Sequence, residues 1–99
     1  NVIPEDESMI YRKMMHDAFY NAWQQPSRAD VGEARVEAEV TLSPGGAVIG
    51  RRIVKNSRLP LMDDSVEQAL QAVTLVDGLT EEYIRRGNPF TVTFYVEEL

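Results

Sequence analysis

A chain of 99 residues without a cysteine has enough mass for one domain's core, and it excludes both a disulfide framework and a thiolate metal site. Its 16 acidic residues against 10 basic ones leave a net charge of -6, which opposes binding to phosphate backbones and argues against a nucleic-acid partner. No run approaches the roughly 18 apolar residues of a membrane span, and the opening Asn1-Val2-Ile3-Pro4 is neither a signal peptide nor an initiator sequence, so an excised soluble fragment is expected.

Residues 1–7 carry Pro4 and the acids Glu5, Asp6 and Glu7, and are expected to be the end of a linker leading into a helix, with the domain itself spanning 8–99. From Ser8 to Gln24 the period is helical. Ile10, Tyr11, Met14, Met15, Ala18, Phe19 and Ala22 occupy one arc, and Arg12, Lys13, His16, Asp17, Asn21 and Gln24 the other. Tyr20 falls among the polar set. Trp23 lies at the edge of the apolar arc, just before Pro26 stops the helix. Ser27 to Glu33, polar and containing Gly32, is expected to be a surface loop.

The next segment alternates Val36, Ala38, Val40 and Leu42 against Arg35, Glu37, Glu39 and Thr41, as a strand with one buried face requires. Ser43-Pro44-Gly45-Gly46 turns the chain, with both glycines free to take positive φ. The returning strand Ala47 to Lys55 is predicted to bulge at Gly50 and to point Ile53 inward. After a loop over Asn56 to Met62, Asp63 or Asp64 is expected to cap a second helix, with Glu67 as a capping-box partner and Val66, Ala69, Leu70 and Val73 on its buried face. Asp77-Gly78 ends an apolar run. Thr80 can cap a short helical turn Glu81 to Arg86, which Gly87-Asn88-Pro89 breaks. In the last segment, Phe90 to Glu97, Phe90, Val92, Phe94 and Val96 face one way and Thr91, Thr93, Tyr95 and Glu97 the other.

The element order α-β-β-α-β predicts an α+β fold with two helices packed on one face of a three-stranded antiparallel sheet. The second helix crosses over between strands two and three, so strand three pairs with strand one in the order two, one, three. This leaves the third strand at an edge.

Little in the chain points to chemistry. A nucleophilic or metal site needs convergent groups, whereas this sequence holds a single histidine, His16, on the polar arc of its helix. No catalytic residue, metal or cofactor is expected. Gly45-Gly46 sits between strands and fits no phosphate loop. Arg51 and Arg52, with Lys55 and Arg58, form the one basic concentration; cross-strand pairing with Glu37 and Glu39 competes with an acidic partner for them. Met9, Met14 and Met15 read as core filler. Tyr20, an aromatic on a polar arc, is a candidate contact residue, as are Arg51 and Arg52. The main interface is expected on the exposed edge strand, at Thr91, Thr93, Tyr95 and Glu97.

Taken together, these pieces resemble the C-terminal domains of the TonB and TolA envelope proteins, over about Tyr11 to Val96. The resemblance rests on Trp23-Gln24-Gln25-Pro26, like the family's W-x-x-P; on Pro44-Gly45-Gly46-Ala47-Val48, like its D/G-G-x-V; and on Ile53-Val54-Lys55-Asn56-Ser57, like its I-x-x-S-S-G. It continues in Leu61 to Leu70, similar to an L-D-x-A-x-x-A-L helix start, and in the short aromatic last strand. Arg58 stands where the family motif has glycine, Pro89 alone remains of a proline-rich run, and a Tyr-Pro motif of one branch is missing. The TonB and TolA branches both remain open.

The resemblance implies a non-enzymatic periplasmic domain, anchored to the inner membrane through a segment outside this chain. Such a domain would couple a proton-driven inner-membrane motor to an outer-membrane receptor or a Tol-Pal-type envelope protein. A generic periplasmic or secreted peptide-binding module of the same layout is the alternative, and a small enzyme using Asp77, Glu81 and Glu82 ranks last.

Overall fold

The strictest alternation in the sequence becomes the middle of the sheet. In the computed structural model, which describes residues 5–97, strand β1 (Arg35–Leu42) buries Val36, Ala38, Val40 and Leu42 on one face. It pairs antiparallel with β2 (Val48–Lys55) on one side and β3 (Phe90–Tyr95) on the other, giving the order β2-β1-β3. The α+β fold and the strand order expected from the pattern are those observed.

Helix α1 (Glu5–Ala22) and, after the hairpin, helix α3 (Pro60–Ala72) supply the opposite wall of the core. Met15 and Phe19 of α1, with Trp23 just beyond its end, meet Met62, Val66, Ala69 and Leu70 of α3 and the inward row of the sheet. Phe94 lies fully buried at the junction, its ring stacked 5.5 Å from Tyr20 and edge-on to Trp23 at 5.3 Å. The Trp23 indole N–H donates to Ser65 Oγ at 2.8 Å, fastening the end of α1 to α3.

Several local expectations shift. Helix α1 begins at Glu5, earlier than the Ser8 start expected, and ends at Ala22; residues 1–4 of the anticipated linker end lie outside the described residues. Its apolar arc is buried at Met15 and Phe19 and partly buried at Ala18 and Ala22, whereas Met9 and Ile10 are 61% and 57% exposed, so Met9 is not core filler. The stretch Ser27 to Glu33 contains a one-turn helix, α2 (Arg28–Val31), capped by Ser27 Oγ and burying Val31.

Helix α3 starts at Pro60, ahead of the aspartates expected to cap it. Proline at the first helical position removes one of the N–H groups that a helix start leaves unpaired, and Leu59 serves as N-cap without a side-chain bond. Asp63 reaches back instead, accepting from the Ser57 N–H at 2.8 Å and the Ser57 hydroxyl at 2.7 Å. This pinned turn holds Arg58 at φ +66°. Glu67 accepts from Gln71 rather than closing a capping box. Thr80 does cap the following helix, α4 (Glu81–Gly87), by accepting from the Tyr83 N–H.

The two outer strands differ. In β2 the register slips twice, so that Ile49 and Val54 have no partner on β1. The first bulge adjoins Gly50 as expected, and the second has no glycine to announce it. Of the hairpin glycines only Gly46 takes a positive φ, +92°, and a Cβ there would lie 2.3 Å from the Val76 carbonyl oxygen. That close approach lets the chain after α3 dock beside the start of β2, with the Val48 N–H donating to Thr74 O at 2.9 Å and the Val76 N–H to Gly46 O at 2.8 Å. Strand β3 pairs over six successive positions without a slip and ends at Tyr95, two residues before the expected Glu97. Beyond its start, the Asn88 amide brackets Leu42, accepting from its N–H and donating to its carbonyl, in place of a further backbone pair.

Two stability outcomes follow from this packing. Phe94→Ala removes a fully buried ring and is expected to cost about 3–5 kcal/mol in urea unfolding. Arg58→Gly relieves a left-handed backbone position, and a gain of roughly 0.5–1 kcal/mol is expected in the same assay, the added freedom of the unfolded chain offsetting part of the relief.

Candidate functional site

β3 has β1 on one side only, and its other edge faces helix α1. The two run alongside one another. At one end Tyr11 of α1 lies 5.0 Å from Tyr83, which stacks 5.5 Å from Phe90; at the other the Tyr20 hydroxyl donates to Thr93 O at 2.8 Å and accepts from the Tyr95 N–H at 3.1 Å.

These two bonds orient the strand. Backbone groups of an antiparallel strand alternate between its neighbours, so if Thr93 O and Tyr95 N–H point away from β1, the N–H and C=O groups of Thr91, Thr93 and Tyr95 all point to the free edge. Those of Phe90, Val92 and Phe94 turn toward β1. Between the edge and α1 runs a groove of about 340 Å³, with Arg12, Met15 and His16 on the helical wall and Thr91, Thr93 and Tyr95 on the other. His16 is exposed and stacks on the Tyr20 ring at 3.8 Å. Burial pushes the Tyr20 phenol above its ordinary value of 10.0, an effect that the bond from the Tyr95 N–H only partly offsets.

Around the end of β3, the Arg35 guanidinium lies 4.5 Å over the Tyr95 ring and Arg28 donates to Val96 O at 2.7 Å. A second, more polar groove of about 500 Å³ opens there, and exposed Glu97 is on its rim.

Thr91, Thr93 and Tyr95 thus share one edge, while Glu97 lies past the end of the strand beside the second groove. Tyr20, expected among polar surface residues, is partly buried and bonded to that same edge. The sequence signal was its presence as an aromatic on a polar arc, three residues before Trp23. Arg51 and Arg52 are not brought to this place. They lie on β2, at the far side of the sheet, where Arg52 pairs with Glu39 at 3.2 Å and Arg51 donates to Gln71 and to Val48 O. Asp77 accepts from the Gly78 N–H and Glu82 pairs with Arg86, so both acids have local structural bonds. Among the described residues no cluster of three His, Asp or Glu side chains is arranged to hold a metal, and no helix is long and apolar enough to cross a membrane.

A sequence profile described as TonB C terminal matches residues 8–94. The chain belongs to the TonB C-terminal family. Among solved structures, the fold is similar to the solution NMR structure of TolAIII bound to a peptide derived from the N-terminus of TolB, with a TM-score of 0.70 and 18% identity, covering 88% of this chain and 73% of that one. No curated protein sequence matches. TonB C-terminal domains are periplasmic protein-protein interaction domains rather than enzymes.

The Tyr20 phenol gives a pH test. Its folded pKa lies above the unfolded value, so its contribution to stability is fully present below that value and is lost as the pH rises through the folded pKa. Urea midpoints measured up the alkaline range should therefore fall more steeply for the native domain than for Tyr20→Phe; Tyr83, raised in the same direction by burial, titrates in both proteins and cancels.

Proposed function

We propose that this domain is the periplasmic end of a TonB/TolA-like energy transducer, which engages its partner by accepting an extended segment as a fourth strand beside β3. The observation that carries the reading is the contrast between the sheet's two edges. β2 is interrupted by unpaired Ile49 and Val54 and has residues 74–76 docked at its start, the kind of irregularity that keeps a strand from pairing further. β3 has neither feature. Its outward amides at Thr91, Thr93 and Tyr95 run along a groove with apolar walls, which suits backbone recognition supplemented by alternate side chains of the guest.

A domain of the same fold, TolAIII, has been solved with a peptide from the N-terminus of TolB, which supports an envelope protein of the Tol-Pal type, or an outer-membrane receptor, as the partner here. In this reading the chain is joined through an upstream segment to an anchor in the inner membrane and a proton-driven motor, and the β3 edge is where the work reaches its load. Glu97, beside the polar groove, contacts the guest chain where it leaves the sheet.

The test is a titration of the ¹⁵N-labelled domain with a synthetic peptide of a TolB N-terminal sequence. Amide shifts concentrated at Thr91 to Glu97 are the expected result, and shifts confined to Ala47–Lys55 or to the outer face of α1 would sink the proposal. Thr93→Pro deletes an outward N–H without touching the β1 ladder, so it should nearly abolish binding in a domain that still folds. Thr91→Ala, which leaves the backbone intact, should weaken binding only mildly.

A further inference from the structure

The groove along β3 is open at one end and latched at the other. Among the described residues nothing from outside the sheet bonds the Thr91 backbone, whereas the Thr93 carbonyl and the Tyr95 N–H are both engaged by one phenol. A backbone N–H carries a single proton. Tyr95 can therefore donate either to Tyr20 or to the carbonyl of an added strand, and a strand paired over the whole of β3 must displace the hydroxyl.

We propose that Tyr20 is a latch on the β3 edge, its hydroxyl holding the place of an incoming strand's last backbone pair until that strand, having paired at Thr91, extends toward Tyr95. This rests on the strand-addition reading and adds a sequence of events to it. The phenol is suited to the place, because its one oxygen both donates and accepts, and so satisfies the two outward groups of successive edge residues as a neighbouring strand would. The latch is also built to release. The ring lies between buried Phe94 at 5.5 Å and exposed His16 at 3.8 Å, so it has a packed floor and a solvent-facing lid on the groove side. A short segment that pairs only near Thr91 leaves the latch shut; one long enough to reach Tyr95 opens it. The edge therefore discriminates by the length of extended backbone offered, and in the unbound domain its C-terminal half is shielded from casual strand pairing.

Tyr20→Phe keeps the ring and deletes the hydroxyl, so the free state loses the competing bonds while the bound state loses nothing. The TolB N-terminal peptide should then bind about three- to tenfold more tightly than to the native domain, the fold-change expected for the net worth of one such bond. Unchanged or weaker affinity, with β3 amides still shifting, overturns the latch and leaves strand addition standing. If the β3 amides of neither protein respond, strand addition itself fails and the latch falls with it. A purely structural hydroxyl would lower the variant's urea midpoint without altering affinity. A readout on the native domain avoids dependence on the variant: the Tyr20 ring resonances must move in step with the Tyr95 amide during the titration, and a ring that stays unchanged while Thr91 to Tyr95 shift contradicts the proposal.

Discussion

Phe94 is the point at which the three parts of the core are joined. Its ring sits under Tyr20 and against the edge of Trp23, and the Trp23 indole is tied to Ser65 of α3, so one buried side chain of the last strand sets the position of α1 and, through it, of α3. Aromatic pairs of this kind contribute roughly 0.5–1.5 kcal/mol beyond the area they bury. Geometry matters more here than the energy. Because Tyr20 is held by Phe94 at the level of the sheet, its hydroxyl arrives at the backbone of Thr93 and Tyr95, and core packing becomes a contact at the edge.

The features that could be read from the sequence were the periodic ones. β1 and β3 declare themselves by alternation, the buried face of α3 by its spacing, and the pairing order by the handedness of the crossover. What escaped depended on contacts between residues far apart. Tyr20 looks polar by its position on the helix, and only the 73-residue bond to Thr93 makes it part of the sheet. Val31 hides in a polar stretch because one buried side chain has no period. Asp63 has the composition of a cap, but the helix begins three residues earlier at Pro60, so the carboxylate falls inside the first turn and secures Ser57 instead. Arg51 and Arg52 are adjacent to one another and remote from the site for a plain reason: they belong to the other edge strand.

Arg58 shows how a fold can hold a left-handed conformation with a residue unsuited to it. The family-like motif has glycine where this chain has arginine, and the backbone nevertheless remains left-handed at φ +66°. The Ser57 and Asp63 bonds, together with the Asn56 side chain accepting from the Arg58 N–H, enforce the turn from outside. A local preference of about 1–2 kcal/mol yields to several hydrogen bonds acting together.

The two bulges of β2 bear on valency. A sheet with two regular edges can polymerise, each added molecule presenting a fresh edge to the next. Here the bulges at Ile49 and Val54 break the regularity of β2, which disfavours growth of the sheet on that side. Two copies meeting along β3 would close into a pair, each turning its bulged β2 outward. On the strand-addition proposal this asymmetry limits the domain to a single guest, because only one side of its sheet presents a regular edge.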